Sequence, residues 1–480
     1  MTLLRHLSGY APVKIAATLA AFGGIYAFTR LLGPEEYGRY ALMFSVMALV
    51  HLLTLTWVEA ASYRFGGEVE DEKQLQNHFR TALTLLGLSL ILATIFGLSL
   101  FWMARDHPNY QAFLPYIALL LPLNTIIKIA MEAHRARLEV RRFAMSATAK
   151  IVIGFAAGVS LAWQTGLGAV APFAGLLCGA AIIMLFEGRW VISEGLKGQT
   201  DRDQLQAWAR YGFPVAFALG LDVLLSSADR FLIAYFMDEA AVGAYAAGYG
   251  IADKTGFFLF SWIAIALSPL IMSAYEQEDR LLLDRYFRQF ADLLVLIGLP
   301  VATGLALVAS PLADAMIGEA LRDDAKTIIP WVAFAGLLNG FVAIYFTESF
   351  NLTKRTKRRA WLMVPPLLIN LALNVVLIPK YGLSGAVAAT VLSYALALVL
   401  MMIAERQLIG LPIPLGTLAK SVFACGLMLP IIRIETSLGP WVDLFAMAGT
   451  GASIYAIAIL ALNAGGVRDL LQNWLRRSEA

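Results

Sequence analysis

Residues 80–104 read RTALTLLGLSLILATIFGLSLFWMA, and no charged side chain follows Arg80 in this stretch. An α-helix rises about 1.5 Å per residue, so about 20 apolar residues are enough to cross the hydrocarbon core of a bilayer. The stretch is longer than the apolar core of most soluble helices and has no polar face. It therefore predicts a transmembrane helix.

Similar apolar windows recur along the whole chain and give about fourteen spans. The approximate spans are 11–32, 39–60, 80–104, 112–133, 143–163, 167–187, 211–237, 240–272, 287–310, 328–350, 360–379, 382–404, 415–434 and 440–463. The division between 360–379 and 382–404 rests on two residues only. The predicted fold class is an all-α polytopic membrane protein with about 14 transmembrane helices.

The composition of the 480 residues agrees with this fold class, since 59% are hydrophobic and 15% are charged. A soluble domain carries about 25% charged residues. The mean hydropathy is +0.70 and the formal net charge only +3, so we expect no nucleic-acid partner. The two cysteines, Cys178 and Cys425, both lie in apolar runs and are predicted to be small core residues.

The distribution of Lys and Arg predicts the orientation, because loops on the cytoplasmic side carry an excess of both. With a cytoplasmic N-terminus, 24 of the 37 fall in inside segments, which include Arg5, Arg476 and Arg477. Six fall outside, namely Arg39, Arg105, Arg322, Lys326, Lys380 and Arg433, and seven fall within spans. Both termini are thus predicted to be cytoplasmic (N-in, C-in). The inside segment near 188–210 is the predicted hinge.

Two pairs of short segments indicate an internal repeat. The first repeat turn, RLLGPEEYGRYA at 30–41, aligns with the second repeat turn, YFMDEAAVGAYA at 235–246, at a shift of 205 residues. GLGAVA at 166–171 likewise resembles GLSGAVA at 382–388. Six spans separate the halves, so the repeats share one orientation about an axis along the membrane normal. The predicted units are two six-helix lobes, 1–195 and 196–404, followed by two C-terminal helices and a cytoplasmic tail at 405–480.

These segments resemble a known family. LGPEEYG at 32–38, ADRF at 228–231 with VGAY at 242–245, and IPKYGLSGA at 378–386 are similar to the polysaccharide-transporter (Wzx-like) branch of the multidrug/oligosaccharidyl-lipid/polysaccharide (MOP) exporter superfamily. The resemblance implies a two-lobed MOP/MATE-like transporter of the bacterial inner membrane that flips polyprenyl-pyrophosphate-linked oligosaccharides for lipopolysaccharide or exopolysaccharide synthesis. It further implies a polysaccharide polymerase machinery as partner.

Ionisable side chains inside spans are costly, so they face a cavity or a partner. Four cations are predicted to bind the anionic head group of the substrate: Arg30, Lys128, Arg230 and Lys254. Three carboxylates are predicted to couple transport to a proton or Na⁺: Asp222, Asp229 and Asp253. Glu59 and Glu348 are further coupling candidates. Two structural alternatives stay open: an ion pair between Asp222 and Lys254, and a pair within one helix between Lys128 and Glu132 at i, i+4.

Three functions compete at this point. Seven basic residues within spans favour an anionic lipid-linked sugar over the cationic substrate of a small-molecule or multidrug exporter of the same superfamily. A polysaccharide polymerase or ligase needs a sizeable outer loop, and the longest here, about 311–327, is short. The chain contains no Gly-Lys dipeptide and hence no P-loop, nor a Gly-x-Ser-x-Gly or His-Glu-x-x-His motif. We expect a transporter that is not an enzyme, uses no cofactor and hydrolyses no ATP.

Overall fold

A computed structural model describes residues 2–103, 105, 107–433, 436, 438–469 and 472 of the chain. Arg476 and Arg477, which the charge count assigns to the inner side, lie outside the described residues, as do the side chains of Arg5 and Arg433. Every regular element in the described part of the chain is helical, so the prediction of an all-α fold is confirmed.

The helices run in chain order as follows. The first nine are α1 (Thr2–Leu31), α2 (Pro34–Thr54), α3 (Thr56–Gly66), α4 (Glu72–Met103), α5 (Pro108–Gln111), α6 (Leu114–Ala136), α7 (Val140–Gln164), α8 (Ala171–Ile183) and α9 (Arg189–Lys197). The second nine are α10 (Arg202–Phe236), α11 (Glu239–Glu276), α12 (Arg280–Leu307), α13 (Ala309–Met316), α14 (Glu319–Gly340), α15 (Thr347–Leu352), α16 (Thr356–Glu405), α17 (Leu415–Gly426) and α18 (Pro440–Leu462). Short 3₁₀ segments lie at Gly168–Val170, Leu429–Arg433 and Ala464–Gly466, and π-helical turns at Met184–Gly188 and Phe341–Phe346.

Twelve helical stretches within the described residues are long and apolar enough to cross a membrane. One of them, α16, is 50 residues long and contains Gly382 in a non-helical conformation (φ 56°, ψ −135°), at the boundary predicted between the spans 360–379 and 382–404. A shorter apolar helix covers Leu415–Ile431. All fourteen predicted spans fall on these helices, while the number of membrane crossings stays a prediction.

The chain divides by packing into two compact units. The first consists of Met1–Ala234 with Asp238–Gly243, and the second of Tyr235–Met237 with Ala244–Ala480. The lobes at 1–195 and 196–404 and the C-terminal part at 405–480 stay a prediction. The segment predicted as a hinge is largely helical, since only four residues, 198–201, separate α9 from α10. Val191 and Gly195 of α9 are buried, and α9 packs on α4.

In the first unit, α7 and α8 pack through glycines. A β-carbon placed on Gly175 would collide with the backbone of Gly158 and Gly154. One on Gly179 would lie 2.9 Å from the backbone nitrogen of Gly154. Small residues spaced four apart let membrane helices approach closely without a water-driven hydrophobic effect. The two backbones are therefore in van der Waals contact.

Local sequence explains the backbone of the first repeat turn. α1 ends at Leu31, Gly33 precedes α2 in an extended conformation, and Pro34 occupies the first helical turn. Proline fits this position because the first N–H groups of a helix have no internal acceptor. Glu35 and Glu36 follow in the same turn, where the helix dipole favours negative charge.

In the second unit, α12, α17 and α18 enclose a small core of Leu307, Met428 and Ile459 with their neighbours. The Tyr455 hydroxyl donates to the carbonyl oxygen of Leu296 at 3.0 Å and so links α18 to α12. Cys425 is buried in this core with a free thiol, as predicted for a small core residue. Cys178 of the first unit is also free but exposed, so the prediction that it is a core residue is wrong.

Candidate functional site

The first unit contains a buried carboxylate that is surrounded by donors. The Glu59 side chain, in the first turn of α3, is 2% exposed. Its Oε1 accepts from the Thr125 hydroxyl at 3.1 Å and lies 2.9 Å from His51 Nε2. Its Oε2 lies 2.8 Å from the Lys128 ammonium. We call Glu59, His51, Thr125 and Lys128 the Glu59 cluster.

The backbone explains why these four residues meet. Leu55 has a non-helical conformation (φ −121°, ψ −30°) that ends α2 and lets α3 begin one residue later. His51 lies in the last turn of α2 and Glu59 in the first turn of α3, so both flank this break. Thr125 and Lys128 are three residues apart on α6, and hence on one face of a helix that packs against α3.

Within the cluster, Lys128 has the most exposed side chain. It is 52% exposed, although the carboxylate that it contacts is 2% exposed. Removing one partner of a buried charge leaves that charge uncompensated, which is costly. The alternative pair with Glu132 does not explain the geometry, because Glu132 instead pairs with Arg135 at 2.9 Å.

Arg230, the second predicted substrate contact in this unit, is on α10 and half-buried. Its Nη1 lies 3.4 Å from the Ser45 hydroxyl of α2 and 3.5 Å from the Ser227 hydroxyl. On the same helix, Asp229 is completely buried and Asp222 half-buried. The two residues are seven positions apart and so lie on one face of α10, but their carboxylates differ in exposure.

The remaining predicted residues are placed as follows. Arg30 is exposed at the end of α1, where its Nη1 donates to the Tyr26 carbonyl at 3.0 Å and its guanidinium lies 4.0 Å from the centre of the Tyr26 ring. Asp253 and Lys254 are on α11 in the second unit, half-buried and exposed respectively. Among the predicted substrate contacts, Lys128 thus belongs to the Glu59 cluster, where it contacts the Glu59 carboxylate.

A second buried carboxylate escaped the sequence analysis. Glu187, in the π-helical turn after α8, accepts from Ser146 at 2.8 Å and from Arg142 at 3.0 and 3.1 Å. Its Oε2 lies 2.8 Å from Nε2 of the fully buried His134, whose ring stacks on Trp190. The Arg142 guanidinium also lies 4.9 Å from the centre of the Trp190 ring, so the group joins α6, α7 and α9 around Glu187. The signal that could have found it is Glu187 itself, an ionisable residue in the predicted span 167–187, where a charged side chain needs a partner.

Neither cluster is a metal centre. Among the residues with described side chains, no group of three or more His, Cys, Asp or Glu is arranged to hold a metal ion. In the Glu59 cluster, the Lys128 ammonium is paired with the Glu59 carboxylate.

Comparison with known proteins shows what this chain is similar to. The family model described as "Polysaccharide biosynthesis protein" matches residues 27–326. Two Haloferax volcanii proteins are similar: "Probable low-salt glycan biosynthesis flippase Agl15" is 23% identical over 79% of this chain and 78% of its own length. "Probable flippase AglR" is 23% identical over 65% of this chain and 66% of its own length.

Solved structures show the same fold. The lipid II flippase MurJ in an inward closed conformation superposes with a TM-score of 0.78 at 13% identity, covering 96% of this chain and 99% of that one. An inward-facing MATE family multidrug resistance transporter of the MOP superfamily gives 0.65 at 17% identity, covering 82% and 94%. The predicted MOP/MATE-like fold is confirmed. Since the family model matches more than half of the sequence, this chain belongs to the polysaccharide biosynthesis protein family.

Proposed function

We propose that this chain is a flippase that moves a polyprenyl-pyrophosphate-linked oligosaccharide across the bacterial inner membrane. The observation that carries the proposal is the Lys128 ammonium, which is half-exposed on an apolar span and held 2.8 Å from the buried Glu59 carboxylate. Family membership and the flippases among the similar proteins support it.

The substrate sets two physical requirements. Its pyrophosphate and sugars must pass through a polar environment, whereas its polyprenyl tail stays in lipid, because burying each CH₂ there is worth about 0.8 kcal/mol. Cations inside the spans meet the first requirement. Lys128 is the substrate contact with the clearest setting, and Arg230, Arg30 and Lys254 are proposed to add positive charge along the path of the head group.

The energy source belongs to the same proposal. Asp222, Asp229 and Asp253 are proposed to couple flipping to a proton or Na⁺ gradient, with both termini in the cytoplasm and the polymerase machinery as a partner that takes over the delivered sugar. Chemical conversion of the substrate is not part of this role, so the chain acts as a transporter without catalysis.

Flipping of a fluorescent lipid-linked oligosaccharide by the purified chain in vesicles tests the proposal. We expect flipping without nucleotide, its loss in Lys128→Ala, and partial retention in Arg230→Lys, which keeps the charge but not the bidentate geometry of a guanidinium on phosphate. Lys420→Ala is the matched control, since this exposed lysine of α17 bonds the Asn463 carbonyl at 3.3 Å. A strict requirement for ATP, or full flipping by Lys128→Ala, contradicts the proposal.

A second candidate, export of small molecules or drugs, is favoured by the structural similarity to the MATE transporter. Such a substrate is cationic for many exporters of this type, and Lys128 in the Glu59 cluster disfavours a cation. The same vesicles distinguish the two functions. Uptake of a cationic dye that exceeds the flipping of the lipid-linked oligosaccharide, and that survives Lys128→Ala, would favour the exporter.

A further inference from the structure

A cavity of about 330 Å³ lies in the first unit, beside the starts of α4 and α10. Its walls come from the end of α3, from residues 68 and 69 that follow it, and from the first two turns of α4 and of α10. The volume is at the lower end of the range for small-molecule sites, which is about 300–1,000 Å³. The cavity therefore has room for one ring-sized ligand, and not for a whole lipid-linked oligosaccharide.

One donor at this cavity has no acceptor within the protein. Trp208 of α10 is fully buried, and its indole N–H finds no hydrogen-bond partner among the residues that the structure describes. The Phe65 ring lies nearly parallel to the indole at 5.8 Å between centroids, and the His78 ring lies at 4.8 Å. A buried N–H without an acceptor is rare in folded proteins, because its desolvation is costly. Since Trp208 lines the cavity, an oxygen atom of a ligand can supply that acceptor.

Two carboxamides on the cavity wall are oriented by the backbone. The Gln74 Oε1 accepts from the Glu70 N–H at 2.7 Å, and the Asn77 Oδ1 accepts from the Gln199 N–H at 2.8 Å. A backbone N–H can only donate, so these two bonds identify the oxygen of each amide and engage it. What each amide retains for a ligand is its NH₂ group, which is a donor. Together with Trp208, the wall thus offers N–H donors from three side chains.

The charge of the lining narrows the class of ligand further. Among the described residues that line the cavity, none is a lysine or an arginine, and Glu68 contributes a carboxylate. Phosphate groups are held best by charge-assisted bonds from lysine or arginine, so this lining does not suit a pyrophosphate. A neutral sugar ring does match it. The hydroxyl and carbonyl oxygens of a sugar accept from N–H donors, and its C–H faces can pack on an aromatic ring such as Phe65.

We infer that this cavity binds one neutral sugar ring, a hexose or an N-acetylhexosamine, of the substrate head group. The predicted orientation puts the cavity on the inner side of the membrane, where the head group would meet the chain before it crosses. This role rests on the proposed flippase function, but binding of a free sugar can be measured without transport. The cavity would recognise the sugar, while the pyrophosphate would be left to the cations within the spans.

The first test measures sugar binding to the carboxamide donors. Saturation-transfer NMR on the purified chain in lipid nanodiscs gives the dissociation constants of free glucose, galactose and N-acetylglucosamine. We expect at least one of the three to bind the parent. Asn77→Asp keeps the acceptor for the Gln199 N–H but replaces the NH₂ donor by an oxygen, so it should weaken binding of that sugar by about tenfold or more. Asn109→Asp is the matched control, because Asn109 is exposed on α5 and does not line the cavity.

The second test removes the indole donor. Trp208→Phe keeps an aromatic ring beside Phe65 but has no N–H, and the loss of one hydrogen bond should weaken sugar binding by up to about tenfold. Trp57→Phe is the matched control, since the Trp57 N–H already donates to the Thr54 carbonyl at 3.0 Å, and it should bind like the parent. Thermal melting verifies that each variant is folded. If Trp208→Phe does not fold, Asn77→Asp decides.

Failure of the site and failure of the proposed function give different results. A parent that binds none of the three sugars, or binding that Asn77→Asp leaves unchanged, would overturn the inference. Sugar binding that folded Trp208→Phe retains in full would also overturn it, because the indole donor would then have no part in the site. A parent that binds sugar but flips no lipid-linked oligosaccharide keeps the site and refutes the proposed function. A parent that flips without binding free sugar refutes the site alone.

Discussion

Replacing Lys128 and Glu59 singly and together separates their roles, because the two side chains differ so much in burial. Lys128→Ala leaves a carboxylate that is 2% exposed, with His51 and Thr125 still within hydrogen-bond distance. Breaking a fully buried pair costs about 3–5 kcal/mol. Since Lys128 is 52% exposed and two donors remain, we expect a loss of about 1–2 kcal/mol in the free energy of unfolding.

Glu59→Gln should cost less, about 1 kcal/mol or below, because the exposed ammonium can hydrate and the amide still accepts from Thr125. In the double variant the unpaired carboxylate is gone, so its stability should return to that of Glu59→Gln. The coupling energy of this double-mutant cycle then isolates the pair. Thermal melting in detergent and the amount of folded protein in the membrane measure stability.

The rate of flipping should respond to these substitutions differently from stability. Glu59→Gln keeps the Lys128 ammonium and should keep flipping, whereas the double variant, although stable, should not flip. Rescue of stability without rescue of flipping is the signature of a lysine that binds substrate. A double variant that melts as low as Lys128→Ala and flips normally would refute this account of the Glu59 cluster.

Three further outcomes are expected. Glu187→Gln should lower the amount of folded protein, because it removes a buried charge that the buried His134 and the Arg142 guanidinium contact. Glu68→Gln, in an ion pair with Arg64 whose side chains are 56% and 51% exposed, should not. Blotting of membrane fractions decides, and equal levels of the two variants would contradict the account. Gly175→Ala should prevent normal packing of α7 on α8, and a chain that melts at the parent temperature would show that the backbones can yield. Cysteines at Arg322 and Lys197 should react with impermeant reagents from the outer and inner face respectively, and reversed labelling would overturn the predicted orientation.

The sequence predicts those parts of the fold that local or membrane-wide rules govern. Span positions follow from bilayer thickness, which every crossing helix must match. The break between α1 and α2 follows from Gly33 and Pro34, whose backbone preferences act within a few residues. The repeat shift of 205 residues, read from a few identities around Gly38 and Gly243, recurs in the starts of α2 and α11.

The composition of the Glu59 cluster could not be predicted, because its members come from three helices. Glu59 and Lys128 are 69 positions apart in sequence, and the only spacing rule available, i to i+4, directs Lys128 to Glu132 instead. Which helix faces which is set by packing over the whole unit, and a single sequence carries little of that information.

The glycine contact between α7 and α8 restricts which substitutions this sequence can accept during evolution. Where two helices meet through side chains, a larger residue on one helix can be accommodated by a smaller one on the other. Gly158 and Gly175 are already the smallest residues, so neither can be replaced by a smaller one to accommodate a larger side chain on the other helix. Each position has to be retained independently, and no second-site substitution between these two helices can restore a variant in which either glycine has been lost.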